Sequence, residues 1–519
     1  MALLRSASTV AGMTMISRVL GFVRDMLMAS VVGTGMVADA FVVAFRFPNL
    51  FRRLFAEGAF NAAFVPLFAR RLEGEGQPEA VRFAEEVMAA LLTFLLVLSA
   101  VAMLAMPLIV YVLAPGFADD PVKMHLTSEL TRIAFPYLTF MSLVALLGGI
   151  LNSLHRFTAA AAAPIVLNIV MIGVLAGVML LGWGDSPDTG RALVWGVALA
   201  GLLQFLMLWA ALARAGINLS LRRPRITPGV KRLVVLGVPG LIAGGVTQIN
   251  LLVSTMIASL QDGAPSWLYY ADRIYQLPLG VIGIAIGVVL LPELARRLRA
   301  GDADGVQTSQ NRALEISLLL TVPAAIALMA LPHPIINVLF ERGAFEPSDT
   351  LATSRALMAF AAGLPAFVMI KVFSPAYFAR EDTRTPMWFA MISVAVNIAG
   401  ALVLFPFISY VGVAIATTVA GWVNALMLAI TLSRRDEYVL DERMKKALPR
   451  IIAASLAMGL LLVGLMQLSA PVFDGSVSFI LRSVTLLALV VAGAGCYFLL
   501  TWWSGALNFA ALKASFRRR

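Results

Sequence analysis

The sequence predicts an all-α polytopic membrane protein with 14 transmembrane helices, arranged as two pseudo-symmetric six-helix lobes plus two C-terminal helices. Three observations carry that prediction. Sixty per cent of the 519 residues are hydrophobic and only 13% are charged, with a mean hydropathy of +0.89. So few charges cannot cover the surfaces of a string of soluble domains. Apolar runs of about 20 residues, the length that a bilayer-spanning helix needs, follow one another along the chain. Basic residues collect on alternate loops.

Pro, Gly and charge clusters divide the apolar runs into spans at 8–32, 38–69, 85–114, 129–153, 160–183, 192–213, 232–261, 267–295, 312–340, 352–379, 385–407, 410–433, 448–469 and 480–504. The first is read as a retained helix. It is long and carries Arg18, Arg24 and Asp25, whereas a cleavable signal has a short, uncharged apolar stretch. Spans two, seven, eight and nine are long enough to imply tilt or kinks.

Loops after even-numbered spans, together with both termini, hold 27 Lys and Arg; loops after odd-numbered spans hold only Lys123, Arg191, Arg342, Arg355 and Arg482. This bias places both termini in the cytoplasm. Topology thus explains most of the net charge of +11, which gives no support to nucleic-acid binding.

The chain also echoes itself. Ala38-Asp39 returns as Ala271-Asp272, Val65 to Leu72 as Leu291 to Leu298, and Gly196 to Ala200 as Gly412 to Ala416. The three ordered echoes relate spans 1–6 to spans 7–12 in the same orientation. Parallel repeats of this kind suit a transporter with a central cavity between two bundles. The expected division is 1–221 and 222–440 for the two lobes, and 441–519 for two further helices and a basic tail.

Eight cations remain within or near spans: Arg18, Arg24, Arg46, Arg52, Arg53, Arg132, Arg273 and Lys371. Each costs about 2.5–3.5 kcal/mol at the bilayer centre on the insertion scale, so each needs a partner or a water-filled cavity. On span 1, Arg18 and Asp25 share a face about 10 Å apart along the axis, with Arg24 beside it. On span 2, Asp39, Arg46, Asn49, Arg53 and Glu57 form a stripe. Arg52 lies alongside it, and Pro48 should bend the helix there. Span 8 brings Asp272, Arg273 and Gln276.

Plainer readings compete. Arg53 and Glu57 are spaced as a helical ion pair, Arg46 as a partner for Asp39, and Arg132 as a cation snorkelling outward. Lys371 suits a cavity or a pairing role equally. Arg18, Arg24, Arg52 and Arg273 outnumber the acids Asp25 and Asp272 near them, which points to an anion-binding cavity. Arginine forks match phosphate oxygens. An amphiphilic anion, such as a lipid bearing a phosphate or diphosphate, is the substrate class implied.

Other chemistry finds no support in the sequence. Gly33-Thr34-Gly35 reads as an outer turn rather than a nucleotide loop, and no Walker A motif accompanies it. The expectation is a transporter, not an enzyme. Three His and one Cys leave little for a metal site or a disulfide. Trp183, Trp267, Trp502 and Trp503 read as interfacial anchors.

The run Ser17-Arg18-Val19-Leu20-Gly21-Phe22-Val23-Arg24-Asp25, followed by Ala38-Asp39-Ala40-Phe41 and by Phe47-Pro48-Asn49-Leu50-Phe51-Arg52-Arg53-Leu54-Phe55-Ala56-Glu57-Gly58-Ala59-Phe60, resembles the MurJ (MviN) lipid II flippase family. That family belongs to the multidrug/oligosaccharidyl-lipid/polysaccharide exporter superfamily. Tyr270-Ala271-Asp272-Arg273 and Tyr377 to Pro386 match its pattern too. The resemblance implies movement of lipid II, the lipid-linked peptidoglycan precursor, from the cytoplasmic to the periplasmic leaflet of the bacterial inner membrane. It also implies a V-shaped pair of lobes, with spans 13 and 14 forming a groove for the lipid tail. By the same resemblance Arg18, Arg24, Asp25, Arg52 and Arg273 contact the substrate. Asp39, Asn49, Arg53 and Glu57 then support the cavity or its gating, beside Asp272 and Lys371. Partners would be lipid II, membrane lipids and the division or elongation machinery. No cofactor is expected. Some relatives hold sodium through a helix-7 acid, but Gln248 to Ser259 contains no Asp or Glu, so the coupling ion stays unassigned.

Three alternatives are weighed against this. A flippase for another polyprenyl-diphosphate oligosaccharide would want the same charges. A multidrug exporter would want acids, and a scaffold would have no use for buried cations.

Overall fold

A computed structural model of the chain describes residues 2–56, 59–474 and 477–505, which are helical apart from turns and a longer irregular segment at 217–227. Two compact units result, Met1–Ser266 with Arg342–Phe345, and Trp267–Glu341 with Glu346–Arg519. The first contains α1 (Ala2–Val32), α2 (Met36–Ala56), α3 (Ala59–Gly74), α4 (Gln77–Leu104), α5 (Met106–Leu113), α6 (Pro121–Ala134), α7 (Tyr137–Ser153), α8 (Phe157–Leu181), α9 (Pro187–Ala213) and α10 (Pro228–Ala258). Here α1 lies along α8, α8 on α9, α2 on α6 and α7, and α10 on α3. The second unit contains nearly all of α11 (Ala264–Arg299), then α12 (Ala303–Ala330), α13 (Pro332–Phe340), α14 (Pro347–Ala361), α15 (Leu364–Phe378), α16 (Arg384–Arg434), α17 (Glu442–Ser469) and α18 (Phe479–Trp503). Its main contacts join α12 to α15 and α17, α15 to α16, and α17 to α18.

Among the described residues, nine helical segments are long and apolar enough to cross a membrane. One of these, α16, is two of the expected spans joined, since its backbone leaves helical geometry at Ile408 and Ser409. Conversely, several expected spans are interrupted. The run 129–153 breaks between α6 and α7 at Pro136, and 312–340 breaks at Leu331-Pro332. Each proline lacks the amide that would continue the helix and instead suits a first turn. Pro48 lies inside α2, which runs on past it to Ala56.

α7 is buried on nearly all sides, as expected for a helix apolar all round. By contrast, α17 and α18 bury one face and expose the other. Two buried tyrosines inside the packing find carbonyls. Tyr377 donates to the Leu428 carbonyl at 2.8 Å and Tyr497 to that of Leu319 at 2.7 Å.

The internal repeat is written in the backbone as well as in the residues. α7 ends with Arg156 N–H donating to Leu151 O and His155 N–H to Asn152 O. α15 ends in the same way, with Asp382 N–H to Tyr377 O and Glu381 N–H to Phe378 O. The pivots His155 and Glu381 both have left-handed φ, 58° and 62°. α9 and the second half of α16 end with the same pair of bonds, pivoting on Gly216 and Asp436. Such left-handed caps satisfy carbonyls that a helix end leaves open.

A second repeated device involves close backbone approach. The Ala344 amide donates to the Ser30 carbonyl at 2.9 Å. A Cβ on Gly33 would lie 2.3 Å from the Ala344 carbonyl oxygen, and one on Gly343 would lie 2.1 Å from that of Ser30. In the matching place after α10, the Gly116 amide donates to the Ser259 hydroxyl at 3.2 Å. A Cβ on Gly116 would meet the Ser259 carbonyl oxygen at 2.2 Å.

Candidate functional site

The site starts on α1, where apolar neighbours leave little water to solvate charge. Arg24 bridges to the adjacent Asp25, with Nε and Nη2 donating to Oδ1 at 3.0 and 2.7 Å. The two side chains are 12% and 4% exposed. Arg24 Nη1 also donates to Asn168 Oδ1 on α8 at 3.1 Å. The Asn168 amide nitrogen in turn donates to the Ser17 carbonyl at 2.8 Å. Asn168 thus staples two turns of α1 and fixes the plane of the Arg24 guanidinium. Arg18, two turns away from Asp25, is half-buried, and no carboxylate pairs with it among the described residues.

On α2 the expected stripe divides. Asp39, in the first turn, is fully buried and held from three sides. Lys123 Nζ lies 2.8 Å from its Oδ2, which also accepts the Gly263 amide at 2.8 Å. Its Oδ1 accepts the Ser266 hydroxyl at 2.6 Å and the Ser266 amide at 3.1 Å. Lys123 also reaches Asp262 at 2.8 Å, but Asp262 is 93% exposed, so that half of the bridge contributes little. Arg46 donates to the Thr255 hydroxyl on α10. Asn49 and Arg53 are half-buried. Glu57 and the side chain of Arg52 lie outside the described residues.

Near Asp39, in the turn between α8 and α9, burial and then the charge of Asp39 push the Asp185 carboxyl above its ordinary value.

In the second unit, Asp272 and Arg273 stand on α11. Asp272 accepts from Gln276 one turn on. Arg273 Nη2 donates to the Tyr269 hydroxyl at 3.2 Å, and its guanidinium lies 4.6 Å from the centre of that ring. The tyrosine therefore orients the cation without neutralising it. Lys371, on α15, is exposed. Within each unit the structure brings together Arg24 with Asp25, Asp272 with Gln276, and Arg273 with Tyr269.

Sequence reasoning missed Asn168, Lys123, Asp262 and Thr255. A lone Asn in an apolar span was the available signal for Asn168. Lys123 was counted with the loops, yet Asp120 caps α6 and turns Lys123 inward. Arg132, expected to snorkel, donates Nε to the Met103 carbonyl at 3.0 Å. Among the described residues no three His, Cys, Asp or Glu are grouped to hold a metal.

A family model described as "Lipid II flippase MurJ" matches residues 28–485. The chain belongs to the lipid II flippase MurJ family. A MurJ relative from Rhizobium meliloti (strain 1021), described as a probable lipid II flippase, is 50% identical over 520 residues, covering 100% of this chain and 97% of the relative. A solved structure, "Lipid II flippase MurJ, inward closed conformation", is 26% identical with a TM-score of 0.78, covering 95% of this chain and 97% of that one. An inward-facing multidrug resistance transporter of the MATE family, in the MOP superfamily, shares the fold at a TM-score of 0.67 with 14% identity, covering 83% of this chain and 98% of that one. The all-α polytopic membrane fold expected from the sequence is therefore the MurJ fold, and the likeness runs the length of the chain.

Proposed function

We propose that this protein flips lipid II from the cytoplasmic to the periplasmic leaflet of the bacterial inner membrane by alternating access. Both termini lie in the cytoplasm in this reading. The full-length likeness to proteins described as lipid II flippases carries it. The site chemistry agrees with that reading. Arg18, Arg24, Arg52 and Arg273 offer forked donors to a diphosphate, Asp25 sets the angle of Arg24, and Asp39, Asn49, Arg53, Glu57, Asp272 and Lys371 support the site or its gating. Outward movement of an anion is favoured by an inside-negative potential by about 2.3 kcal/mol per charge per 100 mV, so the cycle can run without ATP hydrolysis by this chain. The anion-rich substrate also disfavours a drug-exporter reading, which shares only the fold.

Depletion of the protein, followed by exposure of intact spheroplasts to an external lipid II-cleaving enzyme, tests the proposal. Lipid II should become protected. Unchanged cleavage on depletion rejects flipping. Arg24→Ala and Arg273→Ala should give the same protection at normal protein abundance, and full growth of both variants rejects the anion role.

A further inference from the structure

Away from these residues, the second unit contains a cavity of about 340 Å³ lined by Glu315, Glu442, Arg443, Lys446, Ala447, Arg450 and Gly505. Its three cations, Arg443, Lys446 and Arg450, recur at steps of three and four on the first turns of α17 and so share one helix face. The acids beneath them are already engaged. Glu315 is nearly buried and is shared by Arg312 at 2.5 Å and Arg443 at 3.0 Å. Glu442 pairs with Lys445 at 2.8 Å, and Lys445 does not line the cavity. Lys446 and Arg450 are exposed and form no salt bridge among the described residues; Lys446 acts on Glu442, one turn away, only through its charge, and the lining carries three cations against two acids. The cavity therefore holds a surplus of positive charge.

Its depth in the bilayer follows from its neighbours. Gly505 closes one side, two residues after Trp503, which with Trp502 makes two largely exposed tryptophans at the end of α18. Tryptophans of this kind sit at the level of lipid headgroups. From Ile451 onward α17 is apolar, with exposed Ile452, Leu456 and Leu460 on its outer side. A phosphodiester seated against Lys446 and Arg450 would leave its acyl chains along that apolar face. The loop charges put this end of α17 on the cytoplasmic side, where the leaflet carries anionic lipid.

We infer that Arg443, Lys446 and Arg450 form a binding site for the headgroup of one anionic glycerophospholipid, held between α12, α17 and the end of α18. Arg443 is fixed by Glu315, while Lys446 and Arg450 supply the charge that the phosphate neutralises. The site needs none of the residues assigned to the transported lipid.

Native mass spectrometry of the full-length protein in detergent, titrated with phosphatidylglycerol or phosphatidylcholine, tests it. One phosphatidylglycerol should be retained in preference to phosphatidylcholine. The double variant Lys446→Gln/Arg450→Gln should bind it roughly thirtyfold more weakly, the loss expected for two basic groups at a membrane surface. Arg434→Gln removes an exposed charge that neither lines the cavity nor pairs with an acid lining it, and should leave binding unchanged. Equal retention of phosphatidylcholine, an equal loss with Arg434→Gln, or no loss in the double variant overturns the assignment. Displacement of the bound lipid by undecaprenyl diphosphate, with the same dependence on Lys446 and Arg450, gives the site to a polyprenyl headgroup and overturns it too.

Discussion

Gly33 presses against the backbone of Ala344 and Gly343 against that of Ser30, and neither contact leaves room for a Cβ. Both have left-handed φ, 64° and 61°, and each would bring a Cβ within 2.3 Å of a carbonyl oxygen. Gly343→Ala should therefore combine backbone strain of about 1–3 kcal/mol with the cost of parting the Ala344–Ser30 hydrogen bond. Gly182→Ala is the comparison, since its φ is 66° but its surroundings are open. Thermal unfolding in detergent should show a clearly larger loss for Gly343→Ala. Equal losses would mean that the close approach has no cost of its own.

Lys123 matters because Asp39 is fully buried. Lys123→Met leaves that carboxylate without its cation, a loss of about 3–5 kcal/mol for a broken buried pair. The double variant Lys123→Met/Asp39→Asn removes the charge along with its partner, and should recover most of the melting temperature. A double variant no more stable than the single would show that the two side chains are not coupled.

Asn168→Leu should impair function more than abundance. It removes the donor to the Ser17 carbonyl and the acceptor beside Arg24, each bond contributing about 0.5–3 kcal/mol. Complementation of a depletion strain should weaken while the protein level in membranes stays near normal. Full growth would show that Arg24 needs no help from α8.

Acid should loosen the turn between α15 and α16. Partial burial opposes ionisation of Asp382, but the Arg435 guanidinium and the amide and hydroxyl of Thr385 prevail and hold its pKa at about 2, below the ordinary 3.8. A carboxyl with a lowered folded pKa stabilises fully above about pH 4, and that contribution fades as pH falls towards 2. Asp382→Asn should therefore melt lower than the parent at pH 6 and converge with it near pH 2. A gap that persists at pH 2 would assign the effect to something other than this ionisation.

Much of the fold could be read from the residues because burial in lipid leaves few options. Apolar runs give helices, and cations such as Arg24 stand out because hydrocarbon cannot solvate them. What escaped the sequence was pairing over distance. Lys123 reaches across 84 residues to Asp39, and no count of loop charges reveals which cation turns inward. The Gly33-Thr34-Gly35 turn was recognisable, but its partner Gly343 was not, since the requirement for glycine there comes from a contacting backbone. The proline breaks in 129–153 and 312–340 were hidden for another reason. Pro136 and Pro332 interrupt a helix, while Pro48 and Pro323 sit inside one, and packing decides between these outcomes. The repeated caps at His155 and Glu381 share hydrogen bonds with hardly any residue identity, so sequence echoes alone could not locate them.

The position of α10 has a practical consequence for splitting the protein. By sequence it opens the second repeat, yet it packs on α3 and belongs to the first compact unit. Severing the gene between codons 221 and 222 would deprive α3 of its neighbour and leave a long apolar helix to find another. Two fragments divided instead at the Ser266–Trp267 boundary would each keep most of their internal contacts, apart from the first turn of α11 and the short Arg342–Phe345 segment, and are the better choice for reconstituting the chain from separately expressed pieces.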